Sequence, residues 1–116
     1  MTTQTTITME TCIERCEECH RICLETVQYC LQLGGKHAEP SHIRLLLDCA
    51  QICATSADYM VRGSDMHGYT CAACAAVCER CAQDCEQFTD DEQMQRCAQV
   101  CRACAESCRQ MASMAH

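Results

Sequence analysis

Residues 71–85 read Cys71-Ala-Ala-Cys74-Ala-Ala-Val-Cys78-Glu-Arg-Cys81-Ala-Gln-Asp-Cys85. Steps of three and four put all five cysteines on one face of an α-helix, with Glu79 and Asp84 on the outer face. The rhythm recurs upstream, where Cys12, Cys16, Cys19, Cys23 and Cys30 step by four, three, four and seven. It recurs downstream in Cys97, Cys101, Cys104 and Cys108, and Cys49 and Cys53 add one further step of four. In an ordinary helical bundle this stripe would be leucine. Here the residues that point inward carry sulfur.

Few residues interrupt the helical period. Gly34-Gly35 closes a first segment, and Pro40 suits the first turn of a second. Gly63 fits a left-handed cap at the end of that second helix. Thr89-Asp90-Asp91-Glu92 has the form of a capping box, with the Thr89 hydroxyl and Glu92 carboxylate taking free amides. These breaks predict helices over residues 8–33, 40–62, 66–87 and 90–113, in one domain spanning 1–116. Connections this short favour antiparallel neighbours. The expected fold is therefore all-α: an antiparallel up-down-up-down four-helix bundle with a cysteine-lined core. The second helix holds only two cysteines, yet its inward series continues through His42, Leu46, Cys49, Cys53, Ser56 and Met60. The period survives where the sulfur thins out.

Composition narrows the function. The chain has 116 residues, 16 of them cysteine, no tryptophan, and a formal charge of −7. It has no basic, aromatic-interleaved surface for phosphates, so nucleic acid is not an expected partner. No apolar run reaches about 18 residues, so no membrane span is expected. The stretch MTTQTTITM at residues 1–9 has neither the basic segment nor the apolar stretch of an export signal. A cytoplasmic location with reduced thiols is the corresponding expectation.

Helix geometry argues against a disulfide scaffold. Residues three or four apart on a helix have β-carbons about 5–6 Å apart, whereas a disulfide needs about 3.8 Å. Crosslinks between helices stay open, but four or five cysteines per stripe exceed what stapling two helices requires. Thiol catalysis through a pair such as Cys16/Cys19 or Cys101/Cys104 needs a few exposed thiols in an electropositive setting. This chain offers a crowd instead, and is read as a non-enzyme.

Dense thiols in fixed geometry point to metal, and charge selects among metals. Sixteen buried thiolates are untenable without compensation, so the metal-free protein must hold thiols whose protons leave as metal binds. Zinc on four thiolates leaves a charge of about −2 at each site. Cu(I) balances thiolates one for one, prefers soft sulfur ligands, and is content with two or three of them. If every ion took two thiolates and every thiolate bridged two ions, capacity would be on the order of 16 Cu(I). A metallothionein-like buffer for zinc or cadmium is the runner-up. An iron–sulfur protein stands behind it, because Cys16-x-x-Cys19-x-x-x-Cys23 lies inside a long helical period and not in a loop. A thiol redox protein is the remaining alternative.

Antiparallel order gathers Met9, Met60, Met66, His67, Met111 and Met114 at one end of the bundle. Each methionine alone reads as a plastic core filler. Their concentration beside His67 suggests an entrance where thioethers and an imidazole hand Cu(I) to deeper thiolates. Met9, Met60, His67 and Met111 are the candidate ligands there. The opposite end gathers Leu33, Leu46, Phe88 and Met94, read as an apolar plug, with His37 and His42 nearby. His20 is read as structural, His116 as a tail residue, and Ser56 as a gap in the ligand ladder.

These cysteine steps across four helices resemble the bacterial copper storage proteins, and its cytosolic branch in particular. The resemblance spans residues 9–114. It implies a four-helix bundle whose core fills with many Cu(I) ions on all sixteen cysteines, and a His/Met-containing open end. It further implies a homotetramer, and storage or detoxification in place of catalysis. A copper chaperone or efflux protein is the partner such a role would call for.

Overall fold

Buried cysteine and alanine, both small, line the inward stripes and set how closely the helices approach. The computed structural model describes residues 7–114, so the residue His116 and the segment 1–6 lie outside it. Four helices carry the fold: α1 (Met9–Leu33), α2 (Pro40–Val61), α3 (His67–Glu86) and α4 (Glu92–Met114). A short 3-10 turn, Gly35–Ala38, links α1 to α2. Among the described residues there is no strand, as the all-α expectation requires.

Each helix packs against two neighbours, α1 on α2 and α4, and α3 on α2 and α4. The side chains that meet establish the antiparallel order. Cys12 at the start of α1 lies against Cys108 near the end of α4, their sulfurs 3.7 Å apart. Cys30 near the end of α1 meets Met94 at the start of α4, 3.6 Å away. Between the thiols, Ala50 and Ala57 on α2, Ala75 and Ala82 on α3, and Ala98 and Ala105 on α4 are buried. Each pair is one heptad apart. A methyl group at these seams keeps the helices close enough for cysteines of different helices to touch, where leucine would hold them apart.

The helix ends have clear local causes. Thr8 caps α1, its hydroxyl accepting from the Thr11 amide at 3.1 Å. Pro40 begins α2, where its missing N–H costs nothing. α2 ends in a paired 5→2 and 6→1 motif: the Gly63 amide donates to Met60 at 3.1 Å and the Ser64 amide to Tyr59 at 3.0 Å. Gly63 adopts φ 68°, which a side chain would strain. The start of α4 departs from expectation. Asp91, and not Thr89, is the cap: its carboxylate accepts from the Met94 amide at 3.0 Å, and α4 begins at Glu92. Asp91 wins because its carboxylate also accepts from the Tyr29 hydroxyl at 2.7 Å and is paired with His37 at 2.9 Å.

Outside the bundle, Arg102 pairs with Glu86 and Arg109 with Glu79, each at 2.8 Å, tying α4 to α3. These exposed pairs contribute little each. Their effect is orientation more than stability.

Candidate metal centre

All sixteen cysteines are buried and unbonded. The nearest sulfurs, Cys16–Cys108 and Cys53–Cys78, stand 3.4 Å apart, far beyond a disulfide bond of about 2.05 Å. Twelve of the sixteen form four overlapping groups along the bundle, within each of which the sulfurs lie within 4.8 Å of one another. The outer group is Cys12, Cys71 and Cys108; the second is Cys16, Cys74, Cys104 and Cys108. The third is Cys19, Cys53, Cys78 and Cys104, one from each helix; the inner is Cys19, Cys23, Cys49 and Cys101. Three sulfurs around one ion at about 2.3 Å would stand about 4.0 Å from each other. The thiol contacts of 3.4–3.9 Å are already near that spacing. Metal uptake therefore asks for little rearrangement of the helices.

Beyond the inner group lie Cys81, Cys85, Cys97 and Cys30, also buried. Burial pushes the Cys30 thiol up to about 11, helped by the negative charge of Asp91, Cys97 and Asp84. Hydrogen bonds with neighbouring thiols, Cys104 beside Cys53 and Cys19 beside Cys101, push these two core thiols up as well, and burial adds to it. Thiols held up in this way keep their protons until metal displaces them.

At the far end Leu46 and Met94 are buried and Phe88 packs against the core, as the apolar plug requires, but Leu33 does not join them and polar groups do. Leu33 is 54% exposed. Instead His42, only 4% exposed, turns its Nε2 to within 3.5 Å of the Cys30 sulfur. The Met94 thioether touches the same sulfur. Asp84, placed on the outer face by its period, turns to hydrogen-bond His42 Nδ1. A carboxylate holding one imidazole nitrogen while the other faces a soft-ligand site is the usual outer-shell arrangement at metals. The 3-10 turn lies across this end, with the His37 ring 4.3 Å from that of Phe88 and its Nε2 on Asp91. His42 already belonged to the inward series of α2. What that series did not reveal was its pairing with Cys30, Met94 and Asp84, which depends on helix neighbours.

At the other end, Met60 and Met111 are buried, and the Met60 sulfur lies 3.7 Å from that of Cys71. Met9 is half-buried against the core. His67 is half-buried, and its Nδ1 lies 2.8 Å from the Ser64 carbonyl, leaving Nε2 free of that bond. Met66 and Met114 are exposed, 52% and 60%, and do not join the cluster. Ser56 fills its place in the ladder by contacting Cys71 at 3.4 Å. His20 binds the Ala50 carbonyl through Nδ1 at 2.8 Å, a structural contact.

A helical bundle whose interior holds sixteen unbonded cysteines, twelve of them in overlapping groups, defines a class of protein: a metal-sequestering bundle. A sequence model described as "Copper storage protein" matches residues 5–113. The chain belongs to that family. The fold is similar to a Nitrosospira multiformis protein, Nmul_A1745, at 44% identity and TM-score 0.86, covering 91% of this chain and 95% of that one. It is similar to the Cu(I)-bound copper storage protein BsCsp3 of Bacillus subtilis, at 39% identity and TM-score 0.83, covering 89% and 96%. A cytosolic copper storage protein from Streptomyces lividans, captured with five coppers, matches at 28% identity and TM-score 0.78, covering 90% and 92%.

Proposed function

We propose that this chain stores many Cu(I) ions on the thiolates of its sixteen cysteines, as a single domain and without a catalytic step. The observation that carries this is the continuity of the thiol groups: sulfur touches sulfur from Cys12 to Cys23 with no larger side chain between. A catalytic thiol pair needs no such continuity, and separate tetrahedral zinc sites would not need shared sulfurs. Univalent copper keeps such a core near neutrality. The similarity to Cu(I)-bound and copper-loaded relatives supports the same choice of metal.

The cytosol is the compartment this role fits, since sixteen free thiols persist only where they are kept reduced, and a relative is described as cytosolic. No helix among the described residues is long and apolar enough to cross a membrane. A homotetramer completes the proposal, supported by a stripe of exposed leucines, Leu24 and Leu31 on α1 and Leu47 on α2, at 43%, 56% and 45% exposure. A copper chaperone or efflux protein would deliver or take the cargo, through an entrance at Met9, Met60, His67 and Met111.

Native mass spectrometry of the reduced protein, loaded without oxygen, reads metal and chain count together. The expected spectrum shows four chains, each with more than about ten Cu(I). Saturation at about four divalent ions would contradict Cu(I) storage, and a lone 13.0 kDa chain would contradict the tetramer.

A further inference from the structure

The four thiol groups are not separate. The outer and second groups share Cys108, the second and third share Cys104, and the third and inner share Cys19. Cys108 and Cys104 each touch thiols on both sides of their junctions. Cys104 Sγ lies 3.7 Å from Cys16 and 3.8 Å from Cys53. Cys19 Sγ lies 3.8 Å from Cys49 and 3.7 Å from Cys101, both of the inner group, and within 4.8 Å of the sulfurs of Cys53, Cys78 and Cys104 in the third. The sharing is confined to these three positions, although the groups together draw on twelve of the cysteines.

From this we infer that Cys104 and Cys19 are hand-over ligands, the positions through which Cu(I) passes along the bundle from one thiol group to the next. This rests on the storage of Cu(I) by these thiolates. An ion held by Cys16 and Cys104 forms a new bond to Cys53 and breaks its bond to Cys16, while Cys104 holds it throughout. The Cys53 thiol gives up its proton as that bond forms, and the departing Cys16 thiolate takes one up. Copper stays Cu(I), no electron moves, and the charge of the buried site is the same before and after. That last point matters, because an ion leaving all its thiolates at once would place separated charges in a medium of low dielectric. A shared ligand removes that step. Cys12 and Cys85 have no such role, since Cys12 belongs to one group and Cys85 to none.

The test compares Cys104→Ser and Cys19→Ser with Cys12→Ser and Cys85→Ser in the full, reduced protein. Each variant lacks one thiol, and far-ultraviolet circular dichroism checks that each retains its helices. Two independent junctions are included so that a folding failure at one leaves the other to decide. Cu(I) is supplied from a weak chelator without oxygen, and near-ultraviolet thiolate-to-copper absorption is followed by stopped flow. All four variants should lose a similar share of capacity. Only the junction variants should develop a late loading phase slowed at least tenfold relative to wild type. Junction variants that load as fast as the two controls, with a similar loss of capacity, would overturn the relay alone. A wild-type chain that takes up no Cu(I) would overturn the storage function beneath it.

Discussion

At the residue scale, a cysteine here differs from a leucine at the same position in one respect that matters: it can exchange a proton for a metal. Cys30 shows what the surroundings do to that exchange. Burial raises its thiol from 9.0 to about 11, with Asp91, Cys97 and Asp84 adding to the effect. The fold therefore favours the neutral thiol, and the stability this contributes is fully present below pH 9.0 and is lost as pH rises toward 11. The metal-free, reduced protein should melt at progressively lower temperature across that window. In Cys30→Ser, which has no thiol to ionise there, the decline should be shallower; an identical decline would contradict this role for Cys30. The identity of the buried sulfur ladder was legible from spacing alone, because a period of three and four fixes a helix face. The partners of single residues were not. His42 lay correctly on the inward face of α2, but its contact with Cys30 and its bond to Asp84 join residues distant in sequence. Asp84 was misplaced for the same reason: period assigns a face, while a long side chain at its edge can turn inward.

At the scale of the element, the four helices were legible because Gly34, Gly35, Pro40 and Gly63 all fall at helix boundaries, with Gly68 in the first turn of α3. Gly63 and Pro40 took their expected places. The start of α4 was not legible, because Thr89 and Asp91 both suit a cap. The choice was made by Tyr29 and His37, which reach Asp91 from α1 and the 3-10 turn. The two ends of the bundle were also read unevenly. Met60 and Met111, near the ends of α2 and α4, are buried, and Met60 touches Cys71 of the outer thiol group. Replacing Met9, Met60, His67 and Met111 together with leucine should slow copper uptake while leaving final capacity almost unchanged. Methionine-to-leucine exchanges conserve volume and usually cost less than about 1.5 kcal/mol each, so the fold should persist. An uptake rate equal to wild type would refute the entrance.

At the scale of the whole molecule, the bundle replaces much of a conventional hydrophobic core with a reservoir of ligands. Leu46 and Met94 are the only fully buried side chains of that size among the described residues; cysteine and alanine fill the rest. Charge explains why such an interior is viable: neutral thiols without metal, and thiolates balanced by a univalent ion with it. The outside of the molecule, with a formal charge of −7, stays soluble in either state. Copper's location inside this reservoir is the claim on which the rest depends. It is tested most directly by anomalous scattering at the copper edge from crystals of the reduced, Cu(I)-loaded protein. Storage by the thiol ladder predicts a file of copper ions along the bundle axis, each about 2.3 Å from two or more cysteine sulfurs. Copper confined to surface histidines and methionines, with the core thiols metal-free, would contradict it.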